Sequence, residues 1–252
     1  EKAAEGALRR RRIAPTLHGL SASSGRQLGR PVFATAVGYV QYIDMVALQA
    51  WAEHAEAHVE VAALPGTFAA PGRALAYVSP ESGQREVEGG DAVIRAFQIG
   101  DDRLFDDDPR FGLVVLAEIA GRALSPAVND PGTAIDILGT LIRLFVLWSE
   151  PVTAAESTTV PHDRVAVPKL LAQDMFDDAF TAIARDGAGT VEVGVRLQKA
   201  LQSLALAGEG ALREVATHHS RLAVARAEKS LTLPEDLACV RNAAQWTESE
   251  AS

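Results

Sequence analysis

Two apolar runs stand out along the chain, Phe111 to Leu124 and Ala134 to Trp148, and an Asp-Pro pair precedes each, at Asp108-Pro109 and Asp130-Pro131. An aspartate accepts the free N–H groups of a first helical turn, and proline at the first helical position gives up an N–H that has no partner there. The spacing predicts helices from Pro109 to Leu124 and from Pro131 to Trp148. Both are apolar nearly all round, as expected of a central buried pair. Glu118, Arg122, Asp136 and Arg143 interrupt them, and both runs fall short of the roughly 20 residues that a bilayer span requires. This piece of chain is therefore expected not to cross a membrane.

Upstream the pattern is shorter and closer to alternation. "VFATAVGYVQYID", starting at Val32, carries β-branched and aromatic residues, and Asp44 is placed to cap a helix from Met45 to about His58. The strand "VEVAALP" follows, then "GTFAAPGRALAYV", which reads as two short strands hinged at Pro71-Gly72. After Asp91, read as another N-cap, the pattern turns helical and stays so for most of the chain. Further helices are expected at about Asp174 to Arg185, Thr190 to Leu206, Glu209 to Ser230 and Pro234 to Ala244. "DRVAVPKL" reads as an edge strand ended by Pro168, after a polar loop from Ser149 to about His162. The fold class is α+β, a small β-rich subdomain followed by a mainly helical body. Residues 1–31 are expected to be a helix end and an extended linker, 32–100 the α+β subdomain, and 101–252 the helical one.

Composition narrows the function classes. With 48% apolar and 23% charged residues the chain has enough material for a packed core, and a net charge of -9 argues against a general nucleic-acid binder. One cysteine, Cys239, excludes an internal disulfide framework and any multi-cysteine zinc site, which fits a reducing compartment. The opening "EKAAEGALRRRR" has no apolar stretch after its charges and so is not a signal peptide. It reads as the last turns of a helix that begins upstream, with Arg9 to Arg12 at the end where positive charge suits the helix dipole.

Candidate chemistry is sparse. His54 and His58 stand four residues apart, a spacing that on a helix can place two imidazoles on one metal, but no third ligand is evident. Asp106, Asp107 and Asp108 cluster oxygen ligands in a spacing unlike a calcium loop. The adjacent His218 and His219 point about 100° apart on a helix and are expected at the surface. No nucleophile elbow, phosphate-binding loop, zinc-protease helix or dinucleotide fingerprint occurs in its required context. The remaining candidate is "RALSPAVNDPGTA", where Ser125, Asn129, Asp130 and Thr133 crowd polar groups between two helix termini. Two readings stand: an anion or carbonyl ligand held at the helix starts, with Arg110 as a charged partner, or a tight turn whose polar groups satisfy its own backbone.

The stretch "DDDPRFGLVVLAEIAGRALSPAVNDPGTAID" resembles the domain of unknown function 2254 family of bacterial predicted membrane proteins, through Asp108 to Leu113 and Arg122 to Ala134. "GYVQYIDMVAL", "LPGTFAAPGRALAYV" and "FDDAFTAIARDGAGTVEVGVRLQKAL" agree with it. The resemblance implies several N-terminal transmembrane helices followed by a region of about this size, so that the arginine run would be juxtamembrane and the region cytoplasmic. It implies no activity. "GYVQYI" and "GTFAAPGRALAYV" also resemble the half-motifs of a barrel-sandwich fold, though no lysine occupies Thr67 to Ala76 for a covalent carrier role. The expected function is an oligomerisation or regulatory domain of a channel or transporter, self-associating, attached to the membrane through helices outside this sequence, and using no cofactor. The alternative is a metal-dependent enzyme acting on a phosphorylated or lipid-derived substrate, with Asp106 to Asp108 and Asp130 around a divalent ion.

Overall fold

Asp44 does cap a helix: its carboxylate accepts from the Ala47 N–H at 2.9 Å and starts α2, Met45–His54. The helix stops at His54 because Glu56 takes a left-handed backbone, φ 48°, and strand β4, Ala57–Val61, begins directly after it. His58 is therefore a strand residue, and the helical pairing of His54 with His58 does not form. The computed structural model describes residues 1–22, 29–81, 89–153, 156, 160–208 and 210–247. Parts of the expected linker, of the expected polar loop and the expected helix start at Glu209 lie outside them. The fold is α+β, and the chain divides into two compact units, Gly6–Phe111 with Val152–Leu170, and Glu1–Glu5 with Gly112–Pro151 and Leu171–Ser252.

The first unit holds the strands. β1 is Gly19–Ser21, β2 Arg30–Phe33, β3 Gly38–Ile43, β5 Phe68–Ala69, β6 Ala74–Pro80, β7 Phe97–Gly100 and β8 His162–Val167. They form a five-stranded sheet, ordered β1-β8-β4-β6-β2, and a three-stranded sheet, ordered β5-β3-β7. Alternation explains the strands that bury one face: Val59 and Val61 of β4 and Val165 and Val167 of β8 point into one apolar core, which also takes Val40 and Ile43 of β3. In β3 a register shift between Val40 and Tyr42 breaks the period and leaves Tyr42 facing outward.

Three expectations need correction here. β8 is not an edge strand but lies between β1 and β4, parallel to both, because Pro168 falls just past its last residue and removes no ladder bond. Asp91 is not the N-cap but lies inside α3, Gly90–Arg95, whose N-cap position is Gly89, and the mainly helical stretch begins only after β7, an antiparallel partner of β3. β1 lies within the segment read as an extended linker.

The second unit is helical. α4 is Pro109–Ala123, α5 Pro131–Ser149, α6 Ala172–Asp186, α7 Val191–Ala207, α8 Ala211–Ser230 and α9 Pro234–Ala244. α4 takes its first residues from the other unit, as α1, Lys2–Ile13, takes its last. The central element is α7, against which α5, α8 and α9 pack, rather than the expected pair α4 and α5. Each of those two is buried on one side only, with Ile119 and Val146 exposed. At 19 residues and mean hydropathy 1.4, α5 is long and apolar enough to cross a membrane, but here Leu138, Leu141, Leu144 and Phe145 are core residues. Phe145 meets Phe176 and Phe180 of α6 at ring-centroid distances of 4.6 and 5.5 Å. His219 of α8 completes the cluster, 5.7 Å from the Phe176 ring. A buried polar pair ties α7 to α8: the Gln198 amide donates to the Ser220 carbonyl at 3.1 Å, and the Ser220 hydroxyl donates to Gln198 Oε1.

His219 is only 2% exposed, not at the surface as expected, and burial pulls its pKa down more strongly than the nearby Asp177 carboxylate raises it. The unfolded chain then binds the proton better, so His219 favours the fold above the ordinary imidazole range and weakens it as pH falls through that range. Urea midpoints measured from pH 7.5 to 5 are expected to fall less steeply in His219→Phe than in the parent; an unchanged slope would refute this account. A second test concerns Gly66 and Gly72, both left-handed at φ 91° and 82°. A Cβ at Gly66 would strike the Asp108 carboxylate, whereas one at Gly72 meets nothing within 4 Å. Gly66→Ala should cost about 2 kcal/mol or more in chemical denaturation, and Gly72→Ala about 1 kcal/mol.

Candidate functional site

The turn between α4 and α5 closes on itself. The Ser125 hydroxyl donates to the Arg122 carbonyl at 2.7 Å, and the Asn129 and Asp130 N–H groups donate to the Ser125 and Ala123 carbonyls, both at 2.8 Å. Asn129 takes a left-handed backbone, φ 49°, which its short side chain tolerates. Asp130 then caps α5, accepting from the Thr133 N–H at 3.1 Å and from the Thr133 hydroxyl at 2.6 Å, and these bonds hold its carboxyl below the usual range. Ser125, Asn129, Asp130 and Thr133 are thus brought together, and residues 126–130 are exposed. Arg110 is not among them: it stands in the first turn of α4, roughly 20 Å of helix from the turn that follows the last.

The acidic run is split. Asp108, 3% exposed, accepts from Arg103 Nε at 2.7 Å and from the Phe111 N–H at 3.1 Å, serving as an ion-pair partner and a helix cap together. Asp106 and Asp107 are used through their main chain: the carbonyl of Asp106 accepts from Arg10, and that of Asp107 from Arg11 Nη2 at 3.2 Å. Among the described residues no group of three or more His, Cys, Asp or Glu side chains is placed to hold a metal ion.

Those arginine bonds frame a cavity of about 400 Å³ in the first unit, within the range of small-molecule sites. Arg10, Arg11 and Ile13 of α1 form one wall, and Tyr42, Met45 and Val46 another. His18 and His162 also line it, and the His162 backbone N–H donates to the His18 carbonyl at 3.3 Å. The register shift in β3 is what turns Tyr42 outward, and the Asp44 cap sets Met45 and Val46 in the first turn of α2. Leu17 and His18 are successive left-handed residues, φ 51° and 62°, a conformation that costs non-glycine residues free energy and recurs where ligands bind. Burial lowers the His162 pKa, His18 lowers it further, and Asp44 opposes both. The arginine run is therefore not a solvated cluster: Arg11 and Arg12 are buried, Arg12 pairing with Glu156 at 2.8 Å. Sequence reasoning missed this cavity because the partners of Arg10 and Arg11 lie 96 residues downstream and are carbonyls, which leave no mark in side-chain identity.

The family model described as "Predicted membrane protein (DUF2254)" matches residues 5–203. The chain belongs to this family. In DUF2254 terms both the cavity and the α4–α5 turn fall inside the matched region. The chain is also similar to Uncharacterized protein MT1328 of Mycobacterium tuberculosis and Uncharacterized protein Mb1321c of Mycobacterium bovis. Each is 32% identical over 111 residues, covering 43% of this chain and 21% of the relative. No solved structure matches the chain.

The geometry of the turn gives a test of its role. Asp130→Ala is expected to lower the thermal midpoint of the DUF2254 chain at neutral pH. A depressed carboxyl supports the fold above its unfolded pKa and loses that effect as pH falls through its folded one, so the gap between parent and variant should close in acid. Equal midpoints at neutral pH would show that the cap is not stabilising.

Proposed function

We propose that this chain is the cytoplasmic regulatory region of a membrane-embedded channel or transporter, that it self-associates, and that the cavity against α1 is its ligand site. The observation that carries the reading is the wall formed by α1: Arg10, Arg11 and Ile13, near the start of the chain, line a cavity of about 400 Å³. In a family of predicted membrane proteins, a helix that touches a ligand can pass the effect to membrane-embedded helices joined to it. The expected ligand role of Ser125, Asn129, Asp130, Thr133 and Arg110 moves in this reading to the cavity, because the turn groups already satisfy one another. Regulation requires that the ligand bind two conformations unequally, and tenfold unequal binding shifts their balance by about 1.4 kcal/mol.

Three measurements on the full-length membrane protein test the reading. A membrane-impermeant maleimide should label Cys239, which is exposed, in inside-out vesicles but not in intact cells; labelling in intact cells would refute the cytoplasmic placement. Native mass spectrometry should give a discrete oligomer, and a monomer would refute self-association. Ala14→Trp, which fills the cavity, should change flux of small ions in proteoliposomes at least threefold, and unchanged flux for every ion tried would refute the regulatory role.

A further inference from the structure

We infer that the α1 cavity binds a small amphiphilic carboxylate, its acidic head taken by Arg11 beside the His18–His162 pair and its apolar part lying on Ile13, Tyr42 and Met45. The inference rests on the reading of this cavity as the ligand site and names what occupies it.

Arg11 supplies the first argument. It is 3% exposed, its Nη2 donates to the Asp107 carbonyl at 3.2 Å, and its Nη1 is buried without a hydrogen-bond partner among the described residues. A guanidinium presents five donors and cannot give up its charge, so a buried donor left unmet is costly and an oxyanion relieves it. Burial works against the Arg11 charge, and the Asp107 and Asp108 charges only oppose that effect. His162 of β8 repeats the pattern, with Nδ1 buried and without a hydrogen-bond partner among the described residues. Two unmet nitrogen positions from distant segments, Arg11 of α1 and His162 of β8, thus belong to residues that line one cavity.

Charge and size choose the class of anion. Asp106 and Asp107 also line the cavity and offset Arg10 and Arg11, so little net positive charge is left to repay the desolvation of a dianion such as phosphate, a cost that is smaller for a single negative charge. Ile13, Leu17, Ile43 and Met45 supply an apolar lining that an inorganic ion would leave wet. At roughly 30 Å³ per water the space holds about a dozen heavy atoms, the size of a ten-carbon fatty acid or a phenyl-substituted short-chain acid.

Isothermal titration of the 252-residue chain below micelle-forming concentrations tests this, with decanoate, 4-phenylbutyrate, decanol and inorganic phosphate as probes. One of the two acids should bind one per chain, at least tenfold tighter than decanol, and phosphate should not bind. Tighter decanoate points to an acid released from lipid, tighter phenylbutyrate to a water-soluble one, and either supports the inference. Arg11→Gln should weaken the acid at least tenfold while leaving decanol within twofold. Because Arg11 is buried, circular dichroism must show that this variant folds; if it does not, His162→Gln replaces it, with a loss of threefold or more expected. Equal affinity for acid and alcohol, displacement of the acid by phosphate, or binding of no probe would each overturn the inference. A flux change in Ala14→Trp with no acid bound would leave the regulatory reading standing and remove only this ligand class.

Discussion

One buried carboxylate, Asp108, sets the geometry on which the candidate site depends. It pairs with Arg103, caps α4 through the Phe111 N–H, and fills the space that Gly66 leaves by lacking a Cβ. Breaking such a pair from one side would strand a charge away from water, a large cost, so the contacts around it act together. Its neighbours Asp106 and Asp107 are thereby presented with their carbonyls toward Arg10 and Arg11. A residue that looks like one of three exchangeable acids in sequence is the one that orients the other two.

The second constraint is topological. β8 enters the five-stranded sheet between β1 and β4 after the chain has already made α4 and α5, so that sheet cannot be completed by residues 1–111 alone. His162, the first residue of β8, reaches the cavity by this return. The site draws on α1 with the turn after it, on β3 with α2, on Asp106 and Asp107 ahead of α4, and on β8, four segments separated in the chain. Contacts of such sequence separation are formed only when the whole unit is formed, which makes the cavity a property of the folded unit and not of any local motif.

What the sequence makes legible follows the same division between local and distant. The Asp-Pro starts of α4 and α5, the Asp44 cap and the amphipathic helices α6 to α9 are local signals, and each was readable within a residue or two from caps and period. β7 and β1 were not, because strands this short carry too little alternation to separate from loop or helix, and the sheet position of β8 is fixed by partners elsewhere. The end of α2 was overrun because nothing in "EHAEAHVEV" announces the left-handed Glu56. The α4–α5 turn was located correctly as a polar cluster, yet its chemistry was undecidable from residue types. Ser, Asn, Asp and Thr serve a ligand or their own backbone equally well, and only the bond partners tell which. The cavity left still less trace, because the arginines that line it read in sequence only as a helix end whose charge suits the helix dipole.

That run shows why burial, more than charge, carries functional information here. An exposed arginine is cheap and nonspecific, whereas Arg11 is held in the interior with one donor unmet, next to two consecutive left-handed residues. Neither feature helps the fold by itself, since an apolar residue of similar volume at position 11 would avoid the first. Both are the kind of local cost that a ligand offsets when it binds, and an occupant that meets Arg11 and the histidines stabilises the state that contains them over any state that does not. The free energy of such a preference is the only quantity a regulatory site can transmit, and the buried arginine and the left-handed pair that the proposed ligand would meet both lie on the cavity against α1.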